Sequence, residues 1–537
     1  MKALAPQNRQ LHRPDGMAKE SSQEPKRSVQ ASIGISRLCL IALTAAVLTS
    51  LVSCSSGGSG NSGGSGSTGG NSAPSISSIS PQNASAGSTG FTLTVNGTGF
   101  VSTSAISWNG VNLATTGSST QLTATVPPAD VAAVGLAQIT VVNPASNGGT
   151  SSPVGFIVNG VPGFVYVANA TFGSVQTGSI SAFSVDPNTG SLTLVSGSPF
   201  AAGANPTSLT VDPTGKFLYE VNDKNGATTN NLFAFTIDPS TGFLTPIAGS
   251  PFASGANTLS ATIDPTGKFL YTADSGGDST SPASPTSISV FSINPTTGVL
   301  LLATQVSART PTSTDLANYV VTDPAAAYLF ASTALGSICS FSIGSTGTPQ
   351  AAAGSPVAVT PAGQSTLFPR SVTVDPFGKF LYTADGEVSG FSIASDGRLT
   401  PVSGSPYMLG SATAATSVLA DPLGRFLWVD HGFTAIDCFS IDSSTGVLSL
   451  LGFPLTSPNP YIAITTSPAT SSLPMAADPS GKFLYVLTQP GNVAQNFSIS
   501  GFAIDPATGR LTLLQGSPLT LPLNTTPATV LITSKAQ

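Results

Sequence analysis

From residue 164 to the C-terminus, short apolar runs of four to eight residues alternate with clusters of Gly, Pro, Asn and Asp. That spacing predicts strands and turns rather than helices. One stretch reads as strands over 208–211, 217–221, 232–237 and 244–248. Two phrases then recur. D-P-x-G-[KR]-F-L-[YW], with local variation, begins at Asp212, Asp264, Asp323, Asp375, Asp421 and Asp478, at spacings of 52, 59, 52, 46 and 57 residues. F-x-[IV]-x(3)-[TD]-G, one residue shorter at Phe341 and Phe391, begins at Phe183, Phe235, Phe291, Phe341, Phe391, Phe439 and Phe502. Four strands repeated about every 50 residues predict the blades of a β-propeller, an all-β fold. Six Asp-Pro phrases against seven Phe phrases leave the first blade without an inner strand. The tail at 527–533 matches the start of a unit at 206–211, so the C-terminus is expected to close the ring.

Residues 74–159 follow another rhythm, with strands expected at 75–79, 91–95, 105–108, 122–126, 137–142 and 154–158. So many short strands in so few residues predict an immunoglobulin-like β-sandwich, with Trp108 as a packing residue. Upstream, residues 1–37 carry seven basic and three acidic side chains, and an uncharged run at 38–52 ends in Leu51-Val52-Ser53-Cys54. This is a signal-peptide layout, and the run is shorter than the roughly 20 residues of a comfortable membrane span. An ordinary secretory signal and an uncleaved anchor are the alternatives, and Met17 is an alternative start. Residues 54–73 are almost entirely Gly, Ser and Asn and are expected to form a flexible tether. Two G-x-G-x-x-G strings there neither follow a strand nor open a helix, so they do not cradle phosphate.

Composition narrows the function. Only 8% of residues are charged, and the segment after residue 53 has 11 basic against 21 acidic side chains with no basic run. Nucleic acid is therefore excluded as an expected partner. Four Cys do not make a disulfide scaffold, and Cys339 and Cys438, a blade apart, are expected to be separate buried thiols. His431 and His12 are the two His, and His12 lies in the signal, so no Ser-His-Asp or zinc set is visible. The Asp274-Ser275-Gly276-Gly277-Asp278 string falls short of a calcium loop. No metal and no cofactor are expected.

In a four-stranded blade the first-to-second and third-to-fourth turns share one face, and the regular phrases fall there. Their Asp is expected to organise the turn, and Lys216, Lys268, Lys379, Arg425 and Lys482 are expected to be solvated turn residues. The variable loops decorate the opposite face, where binding and catalysis usually reside. That face holds Lys224, Arg309, Arg370 and His431, with Asp223, Asp274, Asp278, Asp315, Asp385, Glu387, Asp430 and Asp437. Arg370, Glu387 and His431 are the candidate catalytic residues, and Arg309, Asp385 and Asp430 the candidate ligand-binding ones. A surface role for His431, and a tie between Arg370 and a neighbouring carboxylate, are the plain alternatives.

Three resemblances sharpen this picture. Leu51-Val52-Ser53-Cys54 resembles a bacterial lipobox, which implies cleavage before Cys54 and its lipidation. A membrane-anchored lipoprotein of the bacterial cell envelope follows as the expected location. Ile79-Ser80-Pro81, Leu93-Thr94-Val95-Asn96-Gly97-Thr98-Gly99-Phe100, Trp108-Asn109-Gly110, Leu122-Thr123-Ala124-Thr125-Val126-Pro127 and Val141-Val142-Asn143-Pro144 resemble the IPT/TIG immunoglobulin-like domain. The repeats over 164–537 resemble the lactonase-type, 6-phosphogluconolactonase-like, seven-bladed propeller family.

The last resemblance implies a Pro-Arg-His run before an inner strand and an Asn-Glu pair after the second. Here Ser371 follows Pro369-Arg370, and Asp385-Gly386 stands where Asn-Glu is expected, with Glu387 one residue late. Lactone opening needs a group that stabilises an oxyanion and a base that activates water. Arg370 suits the first role, and Glu387 or His431 the second. Two readings follow. One is a lipid-anchored protein with a binding or scaffolding surface for an envelope protein or carbohydrate. The other is a divergent lactonase acting on an uncharged or carboxylated lactone.

Overall fold

The repeat units fold into seven antiparallel sheets. The structure is a computed structural model that describes residues 73–534, except 87, 133–134, 145–147, 160–161, 172–177, 223–231, 256, 276–286, 308–316, 335, 360–368, 410–413, 431–435, 452–474, 489–496 and 523–524. The chain divides into two units, residues 1–68 and 69–537, and all described residues lie in the second. Apart from one 3-10 turn at Pro128–Val131, the regular elements among the described residues are strands. Blade two is typical, with Pro206–Val211, Phe217–Asn222, Leu232–Ile237 and Leu244–Pro246 paired in that order.

Blade one is assembled from both ends of the propeller. Its second strand, Pro162–Thr171, pairs with Thr525–Ser534 on one side and Gly178–Val185 on the other. Val165 stands opposite Ile532, and Val167 opposite Val530. The tail strand thereby supplies the inner strand that the phrase count leaves missing.

Apolar side chains from neighbouring sheets interleave to form the cores between blades. Phe164, Tyr166 and Ala168 of blade one pack with Leu209, Leu218 and Phe235 of blade two. Each of the Leu and Phe side chains among them contributes roughly 1.5–3 kcal/mol on burial.

A belt of tyrosines ties each blade to the next. Tyr166 donates to the Gly242 carbonyl at 3.0 Å, Tyr219 to Gly298 at 2.8 Å and Tyr271 to Gly347 at 2.9 Å. Tyr382 donates to Gly446 at 2.9 Å, and Tyr485 closes the circle onto Gly190 of blade one at 2.7 Å. Blade four has Phe330 at this position, and there Tyr328 reaches the Ser395 carbonyl instead. Blade six has Trp428, whose Nε1 meets no partner among the described residues. Burial pushes the pKa of the five belt hydroxyls up, so they remain protonated donors. Tyr271→Phe would strand the Gly347 carbonyl and is expected to cost about 1–2 kcal/mol. A denaturant melt unchanged within error would contradict this account of the belt.

The Asp-Pro turns are built by their carboxylates. Asp212 Oδ1 accepts the Lys216 and Phe217 amides at 2.7 and 2.6 Å, and Asp264, Asp323, Asp375 and Asp478 repeat the pattern. Lys216, Lys268, Lys379 and Lys482 are exposed or half-exposed at these turns. Arg425 departs from expectation. It is half-buried, grips Asp421 at 2.7 and 3.0 Å, and donates to the Gly481 carbonyl of blade seven at 3.0 Å. It is an inter-blade clamp rather than a solvated turn residue.

A third phrase, Gly-Ser-Pro, adds a further tie. Its Ser198, Ser250, Ser355, Ser405 and Ser517 hydroxyls accept amides from the third strands of their blades. Cys339 and Cys438 are both buried thiols outside any disulfide.

The N-terminal sandwich has one four-stranded and one five-stranded sheet. Trp108 is 3% exposed, with its ring 4.9 Å from that of Phe156, and so packs the core as expected.

Candidate functional site

Each second strand runs toward the loop face and ends in a polar residue. Asn169, Asn222, Asp274, Thr333 and Asp385 occupy this place in blades one to five, and all five are buried. The corresponding residue of blade six is His431, which lies outside the described residues.

Asp274 is fully buried and accepts hydroxyls from Thr258 (2.7 Å), Thr272 (3.0 Å), Ser287 (3.2 Å) and Ser289 (2.5 Å). Desolvation raises its pKa against those bonds. A carboxylate enclosed in this way is turned inward and is committed to its own blade rather than to a calcium loop. Asp278 lies outside the described residues. Among the described residues, no three His, Cys, Asp or Glu side chains group as a metal site.

Blade two buries Glu220, which the strand pattern alone does not single out. Its place in the strand is taken by Val167, Thr272, Ala331, Thr383, Val429 and Val486 in the other blades, and that contrast was the available signal. Its Oε2 accepts the Gly203 amide at 3.3 Å, and burial pushes its pKa up to about 8. The folded state therefore holds a proton that the unfolded chain releases above about 4.5. Stability is expected to fall as pH rises from about 4.5 to about 8. Glu220→Gln should raise the melting temperature by a few degrees at pH 8 and leave it unchanged at pH 4. An equal effect at both pH values would contradict the assignment.

Blade five concentrates the chemistry. Its second and third strands, Phe380–Ala384 and Val388–Ile393, are joined by the tight turn Asp385-Gly386-Glu387. Gly386 adopts a φ of 95°, which a side chain would resist. The turn is anchored by paired amide bonds between Gly386 and Ala415, on the approach to blade six. Arg370 precedes the inner strand Ser371–Val374, and its amide bonds the Ala384 carbonyl at 2.9 Å. Arg370, Asp385 and Glu387 thus share one end of one blade.

Their environments differ. Arg370 is exposed and forms no ion pair among the described residues. Glu387 is half-buried, and Asp385 is only 3% exposed. Ser389 donates to Asp385 Oδ2 at 3.0 Å, while Oδ1 meets no partner among the described residues. Burial, with a further push from the Glu387 charge, raises the Asp385 pKa to about 6. A carboxyl poised there can take and return a proton near neutrality.

Ser371, at the position where the family resemblance implies His, is fully buried. Its hydroxyl accepts the Val418 amide at 3.2 Å and so joins the inner strands of blades five and six. Ser260 does the same for Val320 at 3.1 Å. Asp430 is fully buried and accepts the Thr416 hydroxyl at 2.7 Å. Arg309 and Cys54 lie outside the described residues, as does His431.

Residues 164–519 match the family model described as lactonase, 7-bladed beta-propeller, and residues 74–158 match the IPT/TIG domain. The chain belongs to the lactonase seven-bladed β-propeller family. Among solved structures it is similar to a periplasmic gluconolactonase of Pseudomonas aeruginosa, at 22% identity and a TM-score of 0.52, over 69% of this chain and 99% of that one. A Bacteroides fragilis protein provisionally named a 6-phosphogluconolactonase is similar at 22% identity and a TM-score of 0.51, over 69% of this chain and 98% of that one. At this identity the likeness is one of fold. No curated protein matches the chain.

Proposed function

We propose that the protein is an exported hydrolase of uncharged or carboxylated lactones, with its site at the loop end of blade five. The observation that carries this reading is Asp385, a carboxyl whose pKa burial pushes up to about 6, on the same blade end as Arg370, which is exposed and forms no ion pair among the described residues. Asp385 removes a proton from the water that attacks the lactone carbonyl. Arg370 stabilises the oxyanion that forms. Collapse of the adduct breaks the bond to the ring oxygen, which takes the proton back from Asp385 and leaves a hydroxy acid. The family membership supports this substrate class, and the few cations argue against a phosphorylated one. Proton release on mixing the chain with a panel of lactones tests the reading, and silence across the panel would overturn it.

One observation favours a second reading, a non-catalytic binding surface. Ser371 is locked between inner strands and supplies no base where the family pattern has one. Saturable binding of lactones or hydroxy acids without turnover would support it.

We further propose that Cys54 carries a lipid that anchors the protein in the bacterial cell envelope, on the strength of Leu51-Val52-Ser53-Cys54. Cys54→Ser should move the protein from the membrane to the soluble fraction. Continued membrane association would refute the anchor.

A further inference from the structure

The Asp-Pro turns are hydrophilic or small at their third position in most blades: Thr214, Thr266, Ala325 and Ser480. Blades five and six depart from this, with Phe377 and Leu423. Thr214 and Thr266 are exposed, whereas Phe377 and Leu423 are half-buried. The cover on Phe377 comes from two sides. A Cβ built on Gly424 of the neighbouring turn would lie 2.6 Å from its ring. A Cβ built on Gly155 of the sandwich would lie 2.8 Å from the same ring and 3.0 Å from Leu136. Lys379 Nζ stands 5.9 Å from the ring centroid.

The sandwich is shaped for this contact. In its last strand, Val154–Asn159, Phe156 and Val158 point into the core, which leaves Gly155 and Ile157 on the other face. Ile157 stands opposite Leu136 on the neighbouring strand. The outer face of this sheet therefore presents an apolar patch with a glycine notch that admits an aromatic ring. A larger residue at 155 would strike the ring, whose carbon is the nearest neighbour, and the Leu136 methyl beside it.

The other end of that strand is fixed by the chain. Asn159 is separated by two residues from Pro162, where the second strand of blade one begins. The inner strands follow one another in chain order around the ring, which puts blade five three places from blade one. Gly155 to Pro162 is seven residues, at most roughly 25 Å when extended. The last strand of the sandwich thus starts beside the turn of blade five and ends two residues from the second strand of blade one.

We propose that the sandwich is docked on the propeller's turn face as a fixed cap, seated by Phe377 in the Gly155 notch. This inference concerns the seating of the sandwich and stands whether or not the site hydrolyses a lactone.

The test is a cross-link in the full chain. G155C/F377C should form an inter-domain disulfide readily under mild oxidation, because the two positions already touch. G155C/T214C, which pairs the notch with an exposed turn of blade two, should not. No link in the first pair, or equal yields in both, would overturn the proposal. A second measurement avoids engineered thiols: Gly155→Glu should speed hydrogen exchange of the amides at 377–380 at least tenfold and leave those at 214–217 unchanged. Unchanged exchange at both turns would also overturn it.

Discussion

A chain that ends at Thr526 is expected to lose the cooperative melt of the propeller. The deleted residues form most of the inner strand of blade one, in register with 162–169. Without them, Pro162–Thr171 becomes an open edge beside blade seven, a state that propellers otherwise avoid. Val530 and Ile532 also leave the core that they share with Val165, Val167 and Tyr485. Two apolar side chains at about 1.5–3 kcal/mol each, with several ladder hydrogen bonds at about 1 kcal/mol each, exceed about 5 kcal/mol. That is the scale of the whole net stability of a typical domain, roughly 5–15 kcal/mol. The truncated chain should melt at least about 10 °C lower, or without a single transition. A melting temperature within about 2 °C of the full chain would refute closure through the tail.

Arg370→Ala and Asp385→Asn are each expected to lower kcat/KM for lactone hydrolysis at least about 100-fold, the usual scale for loss of an oxyanion donor or a general base. Arg370 is exposed, so its truncation should leave the fold intact. Asp385→Asn should also abolish the rising limb of the rate profile. With a pKa of about 6, the carboxyl is protonated and idle below that pH and active above it. Glu387→Gln should instead shift the limb to lower pH, because the Glu387 charge helps to hold the Asp385 pKa up. Full activity in either the Arg370 or the Asp385 variant would remove that residue from the mechanism.

What could be read from the sequence follows the range of the interactions involved. The Asp-Pro turns were legible because the carboxylate of Asp212 bonds amides no more than five residues away. The closing strand was legible because the tail repeats the inner-strand phrase. The tyrosine belt was not, since Tyr271 and its acceptor Gly347 are 76 residues apart. Arg425 looked like its lysine counterparts until the ring brought the Gly481 carbonyl within 3.0 Å. At the site, the short Asp385-Gly386-Glu387 turn already placed Arg370 near two acids. The choice between those acids depended on burial. Glu387 suggested itself as the base from its position, whereas the enclosed Asp385 has the raised pKa. Ser371 marked a departure from the family pattern, and the structure gives its reason in the bond to Val418.

The most direct test of the central claim is proton release by the full chain, between pH 5 and 8, against neutral and carboxylated lactones. Hydrolysis with a limb near pH 6 that disappears in Asp385→Asn is the predicted result. A folded protein that opens none of these lactones, or one whose activity keeps the same limb in Asp385→Asn, would contradict it.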